Sequence, residues 1–126
     1  MKYRWSAIFF IFSLLLVFSS CSTSSSSTTA NGTGYLWLTA QGNATVQAYT
    51  IATSNGSLSL NGPALPSGPT PTSILISPKG DAVFVLNSGA SSGVSAFTVN
   101  NDGTLKAAGT MVAAGPNPKG ITINPA

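Results

Sequence analysis

Few residues in this sequence could do chemistry. It has 126 residues, no His, two acidic residues and five basic ones. The acids are Asp81 and Asp102, and there is no Glu. The only Arg is Arg4 and the only Cys is Cys21. General acid–base chemistry needs an imidazole or carboxylate within hydrogen-bond reach of a moving proton. Developing negative charge needs positioned cations or N–H donors. Asp81 lies in Lys79-Gly80-Asp81 and Asp102 in Asp102-Gly103. Both are turn signals, where Asp has a sufficient structural role. No catalytic residue is assigned. A metal site is not expected either, without a His cluster, a second Cys or an acidic calcium-type loop. No cofactor is implied.

Cys21 stands in a different setting. Lys2 and Arg4 precede the apolar run 7–18 (AIFFIFSLLLVF), and Ser19-Ser20 lead into Cys21. Twelve residues suit a secretory leader and are short for a membrane span. One thiol cannot staple a secreted domain internally. Residues 1–21 resemble a bacterial lipoprotein signal peptide. That resemblance implies cleavage after residue 20, acylation of Cys21 and anchorage to a membrane. Two or three acyl chains would hold the protein stably, where one binds only marginally. The expected location is exported, at the periplasm, outer membrane or cell surface. Residues 21–34, with the run STSSSSTTANGTG after the cysteine, are expected to be a tether, since they offer no apolar face to bury.

Beyond the leader, Lys79, Lys106 and Lys119 stand against Asp81 and Asp102. The formal net charge of +3 therefore falls to +1, and there is no basic patch for nucleic acid. Lys106 reads as protection of an edge strand. Asn31, Asn43 and Asn55 begin glycosylation sequons that a chain rich in Ser, Thr and Asn makes by chance.

The elements that must position everything else come from an internal repeat. Residues 68–78 (GPTPTSILISP) recur 47 positions later as 115–125 (GPNPKGITINP). Residues 46–51 (VQAYTI) match 94–99 (VSAFTV), and 55–58 (NGSL) match 102–105 (DGTL). A period of this size built from strands means a repeat architecture. The runs 74–77 and 82–86 (AVFVL) predict two strands, the latter covered on both faces. Residues 94–99 predict a third, with Val94, Ala96 and Phe97 apolar and Ser95 and Thr98 polar. Asp102-Gly103 predicts a tight hairpin. Residues 105–113 predict a weaker edge strand, with Gly109 marking an irregularity. The earlier copy lacks the first strand and predicts strands at 35–39, 45–51 and 58–65. Residues 121–124 (ITIN) predict the innermost strand of a third unit. The fold class is all-β, with four-stranded antiparallel propeller blades of about 47 residues, about two blades, and an incomplete ring. The propeller region is 35–126, with repeats 35–81 and 82–126.

The series G-P-x-P-x-x-I-x-I-x-P, an apolar strand ending in Asn, V-x-A-F-T-V and D-G-x-L is similar to lactonase-type propellers. These are seven-bladed proteins related to bacterial 6-phosphogluconolactonase and to YVTN-type surface repeats. The resemblance implies that related enzymes work with His, Arg and Glu around the channel. No position here carries any of these beyond Arg4, so no catalytic role transfers. Seven blades would need roughly 330 residues at this period, so the chain reads as an N-terminal fragment. The phase of its strands also suits a short subunit whose copies complete a homo-oligomeric ring.

The expected function is a binding or scaffold module for a protein or carbohydrate ligand. The alternative is part of a lactone-opening hydrolase whose active residues lie on other blades. Loop residues expected on the ligand face are Asn87, Ser88, Asn117 and Lys119, with Thr72 in the Lys119 position of the other copy. Pro71 and Pro118 are expected to set the chain's approach to the innermost strand. Trp37 and Phe84 occupy matching positions and are expected between blades. Two sheets alone should leave apolar surface, such as the Val83–Val85 side, open to water and prone to aggregation.

Overall fold

A computed structural model describes residues 32–124. The leader, Cys21, the tether up to residue 31 and the last two residues lie outside the described residues. Nine strands follow in order: β1 (Thr33–Ala40), β2 (Thr45–Ala52), β3 (Leu58–Leu60), β4 (Leu65–Pro66), β5 (Pro71–Ile76), β6 (Ala82–Asn87), β7 (Gly93–Val99), β8 (Leu105–Ala107) and β9 (Val112–Ala113). They form two antiparallel sheets, β1–β4 and β5–β9. The last residues assigned to the tether, Thr33 and Gly34, already pair with Ala52 and Ile51 in the first sheet.

Each sheet is a meander joined by tight hairpins. Gly56 (φ 73°) and Gly103 (φ 78°) close the two β-turns at repeat-equivalent positions. The side chains before them act alike. Asn55 Oδ1 accepts from Ser57 N at 3.0 Å, and Asp102 Oδ1 accepts from Thr104 N at 3.0 Å. The repeat in sequence is thus a repeat in backbone conformation.

The outer strand expected over 58–65 is not continuous. It is divided into β3 and β4, which pair with opposite ends of β2. The second sheet breaks likewise between β8 and β9, along β7. Gly62 (φ 84°) and Gly109 (φ 141°) sit in the two breaks, 47 positions apart. Positive φ at these glycines turns the chain off the ladder, so the irregularity foreseen at Gly109 occurs in both copies.

Residues 121–124 form no strand. Their β-prone sequence lies against the second sheet, with Ile121 and Ile123 beside Leu75 and Phe84. A strand needs a hydrogen-bonding partner, and none of the described residues pairs with this segment.

The core lies between the sheets. Val46, Val83, Val85 and Phe97 are fully buried, with Trp37, Leu65, Ile74, Val99 and Leu105 packed around them. Each such side chain stabilises by about 1.5–3 kcal/mol when removed from water. This corrects the expectation for the Val83–Val85 side: it faces the first sheet and is 0% exposed. The apolar run 82–86 hides its inward face, because both of its faces are apolar. Ser95, polar in sequence, also lies on the inward face. It alternates inward with Phe97 and is buried, while Ala96 faces the other way with Phe84. Period 2 along β7 decides this, and the presence of a hydroxyl does not.

Direct bonds tie the sheets together at one end. Trp37 Nε1 donates to Gly103 O at 3.0 Å, and Asn61 Nδ2 donates to Asp102 O at 2.8 Å. The Tyr35 ring lies over Gly103, so close that a Cβ there would fall 2.0 Å from Cδ1. Trp37 is therefore an inter-sheet residue, as expected. Phe84 occupies the matching place on the open side of the second sheet.

Candidate functional site

The strand-end loops of the second sheet gather the polar side chains. β5 enters after the turn Gly68-Pro69-Thr70-Pro71. Thr70 adopts φ 53°, and Asn117, its repeat equivalent, φ 52°. Asn tolerates this left-handed region, whereas a β-branched Thr is strained in it. Pro71 is buried and opposes Asn87 across the sheet. The chain leaving β6 folds back on this turn, with Ser88 N donating to Thr70 O at 2.9 Å and Gly89 N to Pro69 O at 3.1 Å. Gly89 is required here, since a Cβ would come within 2.7 Å of Pro69.

Three elements then meet through hydroxyls. Ser88 Oγ donates to Pro118 O at 2.8 Å and lies 2.9 Å from Thr72 Oγ1. The Thr72 hydroxyl also reaches Leu86 O, as donor, at 3.3 Å, so its one proton is shared between Leu86 O and Ser88 Oγ. Ser92 Oγ donates to Gly115 O at 3.0 Å and pins the other end of the same loop. Asn117 and Lys119 are exposed on that loop. Ser88, Asn117 and Lys119 thus share one end of the second sheet, with exposed Thr72 among them.

Asn87 does not join them. It is 0% exposed and points into the sheet interface. Its Nδ2 donates to Ser67 O at 2.8 Å and to Ser95 Oγ at 3.1 Å, with Val85 O at 3.2 Å also in reach. Ser95 Oγ donates to Ser67 O as well. The Asn87 amide therefore bolts the crossover between sheets, at Ser67, onto the end of β6. Ser67 Oγ and Asn87 Oδ1 are buried without a hydrogen-bond partner among the described residues. A cavity of about 200 Å³ adjoins, lined by Ser67, Gly68, Phe97, Gly109 and Met111 among others. Position in the sequence misleads for Asn87, because a polar residue at a strand end reads as the start of a loop. Ser67 and Ser95, which complete the cluster, carry no signal in a Ser-rich chain.

Both carboxylates lie at the opposite end, in turns. Ser77 Oγ donates to Asp81 Oδ1 at 2.6 Å, and it accepts from Asp81 N and Ala82 N. Thr104 Oγ1 donates to Asp102 Oδ1 at 2.6 Å. That bond, with the Thr104 N–H, holds the Asp102 carboxyl below the usual carboxylate range. No group of three or more metal-ligating side chains occurs among the described residues. The Ser88 end offers hydroxyls, an amide and one ammonium, which suits recognition by hydrogen bonding.

Three comparisons bear on this arrangement. The sequence model of a family described as "Lactonase, 7-bladed beta-propeller" matches residues 24–126. Among solved structures, the chain is similar to a candidate 6-phosphogluconolactonase from Bacteroides fragilis, at 25% identity with a TM-score of 0.65. The match covers 72% of this chain, which spans only 26% of the length of that one. No curated protein sequence matches.

Proposed function

This chain belongs to the lactonase family of seven-bladed β-propellers, and from that membership we propose that it is part of a lipid-anchored, exported propeller acting as a binding or scaffold module at the cell envelope. The observation that carries the reading is where the charges sit. Asp81 and Asp102 serve turns at one end of the second sheet, while Ser88, Asn117 and Lys119 occupy the other. An end furnished with hydroxyls, an amide and one lysine favours a ligand rich in hydroxyls or carbonyls, such as a carbohydrate or a protein surface. Cys21, directly behind the apolar run 7–18, supports the tether. Growth of expressing bacteria with a clickable fatty acid tests the anchor. Label should enter the wild-type chain and be absent from Cys21→Ala. Equal labelling of both, or of neither, would remove the lipoprotein reading. Retention on immobilised polysaccharide, weakened by Lys119→Ala, tests the binding face, and unchanged retention would refute it.

The likeness to the Bacteroides fragilis protein favours a second reading, in which this segment supplies two blades of a lactone-opening hydrolase. Its acting residues would then lie on other blades. Lactone turnover by the product of the whole reading frame, above the rate in buffer, would support it. Absence of turnover would count against it.

A further inference from the structure

The cluster around Ser67 leaves two buried hydrogen-bonding atoms without a partner among the described residues, Ser67 Oγ and Asn87 Oδ1. Ser67 is 2% exposed and Asn87 is 0% exposed. The groups nearby are already engaged. Ser95 Oγ donates its one proton to Ser67 O and accepts from Asn87 Nδ2. The amide cannot be turned over to help, because Nδ2 faces the carbonyl oxygens of Ser67 and Val85. An amide oxygen in that place would meet two more oxygens with no proton between them. Asn87 Oδ1 therefore needs a donor that the described residues do not supply, and buried polar atoms left unbonded are costly.

Ser67 lies on the wall of the cavity of about 200 Å³. Buried Ser95 and Phe97 line it from β7, and Met111 lines it with its sulfur 3.6 Å from Asn87 Nδ2. Ala107 and Gly109, also on the wall, are exposed, so a solute can reach it from outside. A water molecule takes up about 30 Å³, so several fit. None of the lining residues is charged, and an ion held there would go unpaired. The repeat does not itself require these groups. One period away, Ala40 stands in the place of Asn87 and Ala114 in the place of Ser67. The polar cluster is therefore particular to this one contact between sheets.

We propose that this cleft is a binding site for a small neutral O–H donor, which bonds the Ser67 hydroxyl and donates to Asn87 Oδ1. Water supplies that chemistry, and so does a small polyol, whose carbon skeleton would lie against Phe97 and the Met111 thioether. The site is separate from the exposed loop end at Ser88, because Asn87 alternates to the inside. A ligand here becomes part of the packing, and holds the crossover at Ser67 to the end of β6.

Nuclear magnetic resonance of the full chain in detergent tests the inference, with glycerol as probe and 1,2-dimethoxyethane as control. Dimethoxyethane accepts hydrogen bonds but has no O–H to give. Water held in the cleft should show nuclear Overhauser contacts to the Met111 methyl group before either is added. Glycerol that replaces it should remove those contacts and shift the Ser67 and Asn87 amide resonances saturably, which assigns the site to polyols. Contacts that persist in concentrated glycerol assign it to water. Dimethoxyethane should do neither. Ser67→Ala removes an atom that bonds none of the described residues, so the fold keeps its own bonds. It should weaken the glycerol response about tenfold, the worth of roughly one hydrogen bond, or reduce the methyl–water contacts where water is the occupant. Its urea midpoint should stay level or fall, because the wild-type hydroxyl has a partner. A raised midpoint would mean that the hydroxyl is buried dry, and would overturn the proposal. So would equal responses to the two compounds, or the absence of both a water contact and a saturable shift.

Discussion

Gly103 and Gly56 make a matched pair for weighing the contact between the sheets. Both close a β-hairpin, both follow an Asx side chain, and their φ angles are 78° and 73°. Alanine at either position must enter the left-handed region, at about 1–2 kcal/mol. Around Gly56 there is nothing within 4 Å, so its cost ends there. At Gly103 the new Cβ would lie 2.0 Å from Tyr35 Cδ1 and 2.2 Å from Cε1. The ring has to leave, exposing apolar surface worth about 1–2 kcal/mol. The 3.0 Å bond from Trp37 Nε1 to Gly103 O then stretches or breaks, at about 1 kcal/mol more. Gly103→Ala should therefore destabilise by about 3–5 kcal/mol and Gly56→Ala by about 1–2 kcal/mol. Urea unfolding followed by far-ultraviolet circular dichroism reads both. Equal losses would refute the reasoning, because the hairpins differ chiefly in what lies over them.

Other outcomes follow from the same geometry. Thr70→Asn should raise the urea midpoint, by up to about 1 kcal/mol of stability, because Asn accepts φ near 53° more readily than a β-branched residue. An unchanged or lower midpoint would show that the turn is not strained. Asn87→Ala should cost about 2–3 kcal/mol in the same assay, since it leaves Ser67 O and the Ser95 hydroxyl buried with fewer partners. A loss within experimental error would deny the amide its role at the crossover. The Thr104 bonds lower the folded-state pKa of Asp102, so their contribution is present above the usual carboxylate range and lost as pH falls below it. Asp102→Asn should flatten the fall in urea midpoint between about pH 5 and about pH 2.5. An equally steep fall in the variant would assign the acid sensitivity elsewhere.

The repeat and its turns were readable because they rest on local chemistry. Asp102-Gly103 and Asn55-Gly56 each specify a hairpin without help from distant residues. The 47-residue period then carries the fold, and the family match agrees with it. What stayed hidden depends on which face of a sheet meets its neighbour. Residues 82–86 are apolar on both sides, so nothing in them says that Val83 and Val85 point to the first sheet and Phe84 away from it. Ser95 looks like a solvent residue until Asn87 and Ser67 O are placed around it. Residues 121–124 have strand composition, but composition supplies no partner. Of the loop residues picked from sequence, Ser88, Asn117 and Lys119 come together, because the Gly-Pro-x-Pro turn and the exit of β6 share one end of the sheet. Asn87, one residue earlier, alternates to the inside.

Tyr35 and Gly103 are far apart in sequence and in contact only if the repeats stack as successive blades. The ring current of Tyr35 should move the Gly103 Hα resonance well upfield, with nuclear Overhauser contacts between them in a proton spectrum. Tyr35→Leu should return that resonance to its ordinary position. A Gly103 Hα at the ordinary shift in the wild-type chain, with no contact to the Tyr35 ring, would contradict the stacking on which this account of the fold and of the cleft between its sheets stands.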